Sequence, residues 1–445
     1  MEVNLTQKYT NKFSSILNRV ELIKVNGKVS DVVGLIIISI GPNVSLGEVC
    51  TIVDRNGKEV CKSEVVGFKE GKVLSIALGE VHNISPACEI IATGKSFSIP
   101  VGKELLGRVI DGLGNPIDGK GELNCTLMSN IHREPPSPLK RRRIDTPLQT
   151  GVRSIDGLLT VGKGQRMGIF AGSGVGKSVM LGMIAKNTNA DVNVITLIGE
   201  RGREVREFIE KDLGEEGLKR SVVVVATSDK SALVRIKGAY IGTTIAEFFR
   251  DQGMDVVLMM DSVTRFAMAQ REIGLTVGEP PTSKGYTPSV FAIMPKLLER
   301  AGTTENGSIT GFYTVLVDGD DMNEPIADAV RSILDGHVVL SRKLANKGQY
   351  PAVDPLQSVS RVMPDIVTSD HYQRSMIFNE ILATYKEAED LINIGAYVRG
   401  SNPQIDHSLS KINLLRSFLK QDMNEKTLYN YTVSRLNEII EKPLN

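Results

Sequence analysis

Apolar positions change their spacing several times along the chain, and each change predicts a different kind of element. Leu5, Tyr9, Phe13, Ile16, Leu17 and Val20 recur at steps of three and four, which predicts a short helix with one apolar face within residues 1–21. That face packs on its own domain or docks a partner; the stripe says only that something apolar covers it. Over residues 22–95 short β-rich runs take over, among them residues 32–40, 48–53 and 73–78, separated by turn signals at Gly41-Pro42, Asn56-Gly57 and Glu70-Gly71. This rhythm predicts a small β-barrel or sandwich. Glycines and prolines then crowd residues 96–150, with Gly114-Asn115-Pro116 and Pro135-Pro136 as the clearest breaks, and the stretch reads as linker and interdomain contact.

Over residues 151–366 strand-like and helix-like runs alternate. Residues 167–170, 192–198, 221–226 and 256–260 are apolar and short, while residues 179–186, 204–213 and 232–250 have helical character. Such alternation predicts a mostly parallel sheet covered by helices. Over residues 367–445 the pattern becomes purely helical. Ile377, Ile381, Leu382 and Tyr385 share one face, Leu409, Ile412, Leu415, Phe418 and Leu419 a second, and Leu428, Leu436, Ile439 and Ile440 a third. No internal repeat or low-complexity tract interrupts these segments.

The candidate chemistry lies where the first strand of the alternating region ends. Ala-Gly-Ser-Gly-Val-Gly-Lys-Ser at residues 171–178 sits between an apolar strand and a helix, the setting of a phosphate loop. The backbone N–H groups of Gly172, Ser173, Gly174, Val175 and Gly176 would converge on nucleotide oxygens, with the positive end of the following helix behind them. Lys177 would bind the β- and γ-phosphates and Ser178 would place its hydroxyl on Mg²⁺. Asp261 ends the apolar run of residues 256–260 and would stand at the carboxyl edge of the sheet, placed to hold Mg²⁺ through water or to cap the next helix. Glu200 follows residues 194–198 in Gly-Glu-Arg-Gly-Arg-Glu. It is placed to orient and activate a water, with Arg201 steadying the charge. Position alone leaves open whether Glu200 or Glu204 merely pairs with Arg201 or Arg203.

Composition narrows the partners. The chain has 445 residues, enough for two or three domains. Its 53 basic and 52 acidic residues leave a net charge of +1, so no global field draws it to nucleic acid or anionic lipid. The run at residues 140–143 is basic but isolated, as a solvated or salt-bridged surface would be. Cys50, Cys61, Cys88 and Cys125 form no CxxC pair and have no histidines at zinc spacing, which favours separate thiols in a reducing, cytoplasmic setting. The sequence has no signal-like start and no apolar run near the ~20 residues that span a bilayer.

Several long motifs occur together and in order: residues 162–178, Gly-Glu-Arg-Gly-Arg-Glu-Val from Gly199, Asp-Ser-Val-Thr-Arg-Phe from Asp261 and Gly-Glu-Pro-Pro from Gly278. Asp-Gly-Asp-Asp-Met-Asn-Glu-Pro from Asp318 and Ile-Leu-Asp-Gly-His from Ile333 follow. Over residues 25–420 the chain thereby resembles the ATPases of type III protein export, relatives of the catalytic β subunit of rotary ATP synthases. Tyr-Lys-Glu-Ala-Glu-Asp-Leu-Ile from Tyr385 and Asn-Pro-Gln-Ile-Asp from Asn402 are similar to the flagellar branch, with the injectisome branch as the close alternative.

The resemblance implies an α/β P-loop (RecA-like) core preceded by a small β-barrel and followed by a C-terminal helical domain. It also implies an ATP- and Mg²⁺-dependent homohexamer with a nucleotide at each subunit interface. Glu200 matches the family's catalytic glutamate, Arg361 the arginine finger that enters the neighbouring site, and Tyr350 the aromatic residue that stacks on adenine. In the family a regulatory, stator-like export protein holds the N-terminal helix near the membrane export gate. A central stalk occupies the pore, and chaperone and substrate complexes face the C-terminal domain. The expected location is therefore cytoplasmic, at the inner face of the membrane through partners. Two rivals differ in the sequence itself. A non-catalytic ring subunit of this kind has glutamine in place of Glu200. An RNA translocase would need a dense aromatic and basic cluster, and the N-terminal β region offers only Phe68 and Phe97.

Overall fold

The computed structural model describes residues 25–79, 84–317 and 321–441, with positions 9, 10, 13, 14 and 319 besides. The helix expected within residues 1–21, and the docking surface assigned to it, lies outside the described residues apart from those isolated positions. The chain divides into two compact bodies, Met1–Phe97 and Ser98–Asn445.

Six antiparallel strands close the first body into a barrel: β1 (Gly27–Val33), β2 (Ile36–Ile40), β3 (Glu48–Val53), β4 (Glu59–Lys69), β5 (Lys72–Leu78) and β6 (Glu89–Ser96), in the order β1-β2-β5-β4-β3-β6. Closure leaves no open sheet edge. The turn chemistry is visible at Glu70-Gly71, where Lys69 pairs with Lys72 across a two-residue loop and both loop residues have positive φ, 52° and 73°. That is the twist a tight hairpin prefers. Val29, Ile37, Cys50, Ile52, Val65, Val73, Ala77, Cys88 and Ile90 fill the interior, so two of the four thiols serve as small apolar fillers.

The second body is built on a long sheet. Its strands are β7 (Val109–Asp111), β8 (Arg166–Ala171), β9 (Val192–Ile198), β10 (Ser221–Ala226), β11 (Asp255–Asp261), β12 (Ser308–Leu316), β13 (Gly336–Leu340) and β14 (Val359–Ser360). They lie in the order β14-β13-β8-β12-β11-β9-β10-β7, parallel to one another except for β14, and a ninth, two-residue strand, Gly302–Thr303, pairs antiparallel with β12 off this path. All seven residues of β9 are buried, which explains its unbroken apolar run: a parallel strand is covered on both faces. Residues 96–150 are more structured than a linker, since they supply β7 at the sheet edge and a ribbon of Ser98–Val101 with Leu127–Asn130.

Helix α1 (Lys177–Asn187) follows β8, α2 (Ala232–Asp251) precedes β11, and α3 (Val263–Thr276) follows it. The run expected as one helix over residues 204–213 is helical at Gly202–Glu207 and then widens into a π-helical turn at Phe208–Leu213. This turn packs on α1 where Gly182 leaves room, because a Cβ there would lie 2.7 Å from the Asp212 carbonyl oxygen. The C-terminal helices α4 (Ser369–Asn393), α5 (Pro403–Leu419) and α6 (Tyr429–Glu441) share one core with the nucleotide region. Phe378, Leu415, Phe418 and Leu436 lie in the same cluster as Val152, Ile155 and Leu158, and the Phe378 and Phe418 ring centroids are 5.5 Å apart.

One buried ion pair anchors the N-terminal part of this body to α2. Arg300 and Glu247 have side chains only 1% exposed, with Nη2 of Arg300 2.7 Å from Oε2 of Glu247. Arg300 also donates to the Ile131 carbonyl at 2.7 Å and to Thr244 Oγ1 at 3.0 Å. Removing one partner of such a pair leaves a buried charge uncompensated, which costs about 3–5 kcal/mol. Glu247→Gln is therefore expected to lower the denaturant midpoint of the second body by an amount equivalent to that range; a midpoint within 0.5 kcal/mol or so of the native one would show that the pair is not an anchor.

Candidate active site

The site grows from the carboxyl ends of β8, β9 and β11, where an open α/β sheet leaves its ligand crevice. After Ala171 the backbone turns sharply at Gly174 and Gly176, whose φ values are 78° and 85°. Only glycine adopts these left-handed values without strain. Val175 turns inward, 2% exposed, and pins the loop to the core, while Ser173 and Gly174 face solvent. No side chain caps α1 at Gly176, so its first N–H groups remain available to an anion.

Lys177 opens α1 and reaches across the crevice. Its Nζ lies 2.5 Å from Oδ1 of Asp261 and 3.4 Å from Oε1 of Glu200. Asp261 stands at the carboxyl end of β11, its side chain 4% exposed, and Thr314 of the neighbouring β12 donates to its Oδ1 at 2.6 Å. Glu200 emerges three residues beyond Leu197, the register partner of Asp261. Adjacent parallel strands thus deliver both carboxylates to one place. Burial pushes the Glu200 carboxyl up to about 7; Lys177 opposes this, and Asp261 and a hydrogen bond with Glu204 add to it. Burial disfavours the Lys177 cation, but the carboxylates of Asp261 and Glu200 outweigh it and hold the amine protonated.

Tyr350 is brought to the loop from a distant part of the sequence. A Cβ built on Gly176 would lie 3.4 Å from Cδ1 of its ring, and the backbone N–H of Gln421, just beyond α5, donates to the Tyr350 carbonyl at 2.9 Å. Gln421 also accepts from the Arg153 N–H at 2.8 Å and donates to the Gly151 carbonyl at 2.8 Å. The C-terminal helices therefore help to hold the aromatic wall of the loop. Ser178 follows Lys177 in the first turn of α1.

Arg201 and Arg361 are not brought to these groups. Arg201 is 82% exposed at its side chain and pairs with Glu204 at 3.8 Å. Arg361 lies at the opposite edge of the sheet. Strand β14 pairs Ser360 with Gly336, at the amino end of β13, whereas the phosphate loop leaves β8 at Ala171, which pairs with Leu340 at the carboxyl end. Four residue steps of strand separate the two edges, about 13 Å at 3.3 Å per residue. Arg361 thus faces away from its own chain's loop.

Sequence reading passed over Thr314 and Gln421. Thr314 had a faint signal, a hydroxyl within the apolar run of β12. Gln421 had none, because its role depends on the return of the C-terminal helices to the sheet.

Fold and crevice together define a phosphate-loop nucleotide-binding enzyme: a parallel sheet, a glycine loop at its carboxyl edge, and a lysine flanked by two carboxylates. Three family models match in succession: the ATP synthase alpha/beta family β-barrel domain over residues 29–94, the nucleotide-binding domain of that family over residues 151–360, and the EscN-type type III secretion ATPase C-terminal domain over residues 367–438. The flagellum-specific ATP synthase of Bacillus subtilis is 58% identical over 433 residues, covering 96% of this chain and 99% of that protein. The type 3 secretion system ATPase of Xanthomonas euvesicatoria is 53% identical over 93% of this chain and 94% of its own length. Among solved structures, the assembled ATPase EscN from the enteropathogenic E. coli type III secretion system superposes with a TM-score of 0.88 at 45% identity. It covers 93% of this chain and all of that one. The chain belongs to the ATP synthase alpha/beta family and, within it, to the ATPases of flagellar and type III protein export, enzymes that bind and hydrolyse ATP.

The loop geometry carries a direct test. Gly176→Ala would force a Cβ into a left-handed backbone and toward the Tyr350 ring, a strain of about 1–2 kcal/mol. Reduced ATP affinity with a lower melting temperature is expected; unchanged affinity, measured by calorimetric titration, would show that the loop needs no left-handed residue there.

Proposed function

We propose that this chain is the ATPase of a flagellar type III export apparatus and works as a homohexamer in which each active site is shared by two subunits. The observation that carries the catalytic part is the meeting of Lys177, Glu200 and Asp261 at the end of the phosphate loop. Two carboxylates already face the single ammonium of Lys177 in the crevice, and ATP brings further negative charge. Binding would be favoured if Lys177 turned from Asp261 to the β- and γ-phosphates and a cation supplied compensating charge near the carboxylates.

The residues present fit Mg²⁺ in that role. Among the described residues no cluster of three His, Cys, Asp or Glu side chains would hold a metal alone, consistent with an ion carried by the nucleotide and met by the Ser178 hydroxyl and, through water, by Asp261. Bound there, the ion would neutralise charge on the phosphate oxygens. Glu200 orients the attacking water and takes its proton; a carboxyl raised toward neutrality by burial is a stronger base than an exposed one. Tyr350 stacks on the adenine beside Gly176. The backbone N–H groups of residues 172–176 hold the phosphates.

Arg361 supplies the remaining positive charge to the neighbouring subunit. Its place at the far edge of its own sheet supports action in trans, and such a finger is worth about 10³–10⁵ in rate. Arg201, exposed beside Glu204, steadies the surrounding charge once subunits close on one another. The solved complex of EscN with its central stalk EscO supports a stalk in the pore of this ring too. An N-terminal helix that docks a regulatory export protein would hold the ring near the membrane export gate, with chaperone and substrate complexes at the C-terminal helices. None of the described helices is long and apolar enough to cross a membrane, in keeping with attachment through partners. The 53% identity to a secretion ATPase keeps an injectisome as the second reading.

Glu200→Gln is expected to lower kcat by at least about 10²-fold while ATP binding is retained. Near-native turnover would remove Glu200 from catalysis. Deleting the gene should abolish flagellar filaments; intact filaments with loss of effector secretion would assign the chain to an injectisome.

A further inference from the structure

Arg361 hangs from two carbonyl groups. Its backbone N–H donates to the Asp335 carbonyl at 3.0 Å, and its Nη1 to the Leu334 carbonyl at 3.3 Å. Both acceptors belong to the short turn that leads into β13, so wherever this turn goes, Arg361 follows. The turn is itself held from β8. Arg166 forks onto the Asp335 carboxylate, Nε to Oδ2 at 3.0 Å and Nη2 to Oδ1 at 2.9 Å, while the Arg166 N–H donates to Oδ2 at 3.0 Å. The Asp335 N–H returns to the Arg166 carbonyl at 2.9 Å. The remaining Nη1 of Arg166 is paired with Glu299. Gln165, next in sequence, donates to both the Asp335 carbonyl at 3.2 Å and Ser360 Oγ at 3.0 Å.

We propose that Arg166 and Asp335 are positioning residues for Arg361, a clamp that sets the angle at which the finger meets the neighbouring subunit's nucleotide. This rests on the reading of Arg361 as a finger that acts in trans. A two-pronged guanidinium–carboxylate contact fixes orientation as well as distance, which a single ion pair does not. The clamp joins the first residue of β8, whose other end carries the phosphate loop, to the turn that carries Arg361. One strand therefore ties the site a subunit owns to the finger it lends. Side-chain exposures of 14% for Arg166 and 25% for Asp335 leave the clamp partly screened from water, where the contact is firmer than on an open surface.

The test separates the two chains that build one site. Arg361→Ala chains keep the nucleotide site and lack the finger; Lys177→Ala chains keep the finger and lack the site. Each alone should be nearly inactive, and rings mixed from the two should regain turnover. Adding Asp335→Asn to the Lys177→Ala chain is expected to cut the regained turnover by about ten- to a hundredfold, the effect of a small misplacement of a reacting group. Adding it to the Arg361→Ala chain is expected to leave the regained turnover unchanged. Ring assembly of every mixture is followed by sedimentation, and Arg166→Lys, which keeps the charge but loses the fork, replaces Asp335→Asn if that chain fails to assemble. Equal recovery with and without the substitution on the finger-supplying chain, or equal loss in both placements, overturns the positioning role and leaves the shared site standing. No recovery in the parent mixture overturns the shared site itself, and the clamp with it.

Discussion

The contact of Lys177 with Asp261 and Glu200 is the constraint on which the second body is built. Three charged groups in a crevice that excludes most water are tolerable only if they neutralise one another in a fixed geometry. The fixing comes from the sheet. Asp261 and Glu200 arrive from neighbouring parallel strands in a register that puts Leu197 opposite Asp261. Thr314 comes from the strand on the other side, and Lys177 comes from the loop after β8. Each of these strands is buried on both faces, so their relative positions are set by a large apolar core rather than by the polar groups themselves. The charges are guests of the packing.

The same sheet supports the proposal that neighbouring chains share a site. Phosphate-binding and carboxylate groups lie at its carboxyl edge, and Arg361 emerges at its amino edge, a strand length away. The register places Arg361 a strand length from the loop, so the finger as proposed acts on another subunit. In the proposed ring, neighbours would be coupled directly, because ordering the turn at residues 334–335 in one subunit would bear on the chemistry of the next. Gln421 and Phe418 extend the connection to the C-terminal helices, which touch the backbone beside Tyr350 and the short helix at residues 153–158.

Much of this was legible from the chain. Periodicity foresaw the barrel, the alternating core and the helical end, and the glycine spacing of residues 171–178 located the crevice, because those signals are local and strong. Asp261 and Glu200 were legible as acids ending apolar strands, but their convergence on Lys177 depends on strand order, which sequence spacing does not encode. Residues 96–150 looked like linker because their glycines and prolines mask a three-residue strand that joins the sheet. Thr314, Gln421 and the Arg166–Asp335 clamp were hidden for one reason: each acts through a contact between residues 53 or more positions apart, and none belongs to a motif with a local mechanism.

A shared active site is the central claim, and turnover as a function of protein concentration tests it most directly. ATP hydrolysis per chain should climb as the concentration rises and rings form, and Arg361→Ala should stay near zero over the same range although it binds ATP. Turnover per chain that is constant with dilution and indifferent to Arg361 would mean that each subunit works alone, and would contradict the account at its root.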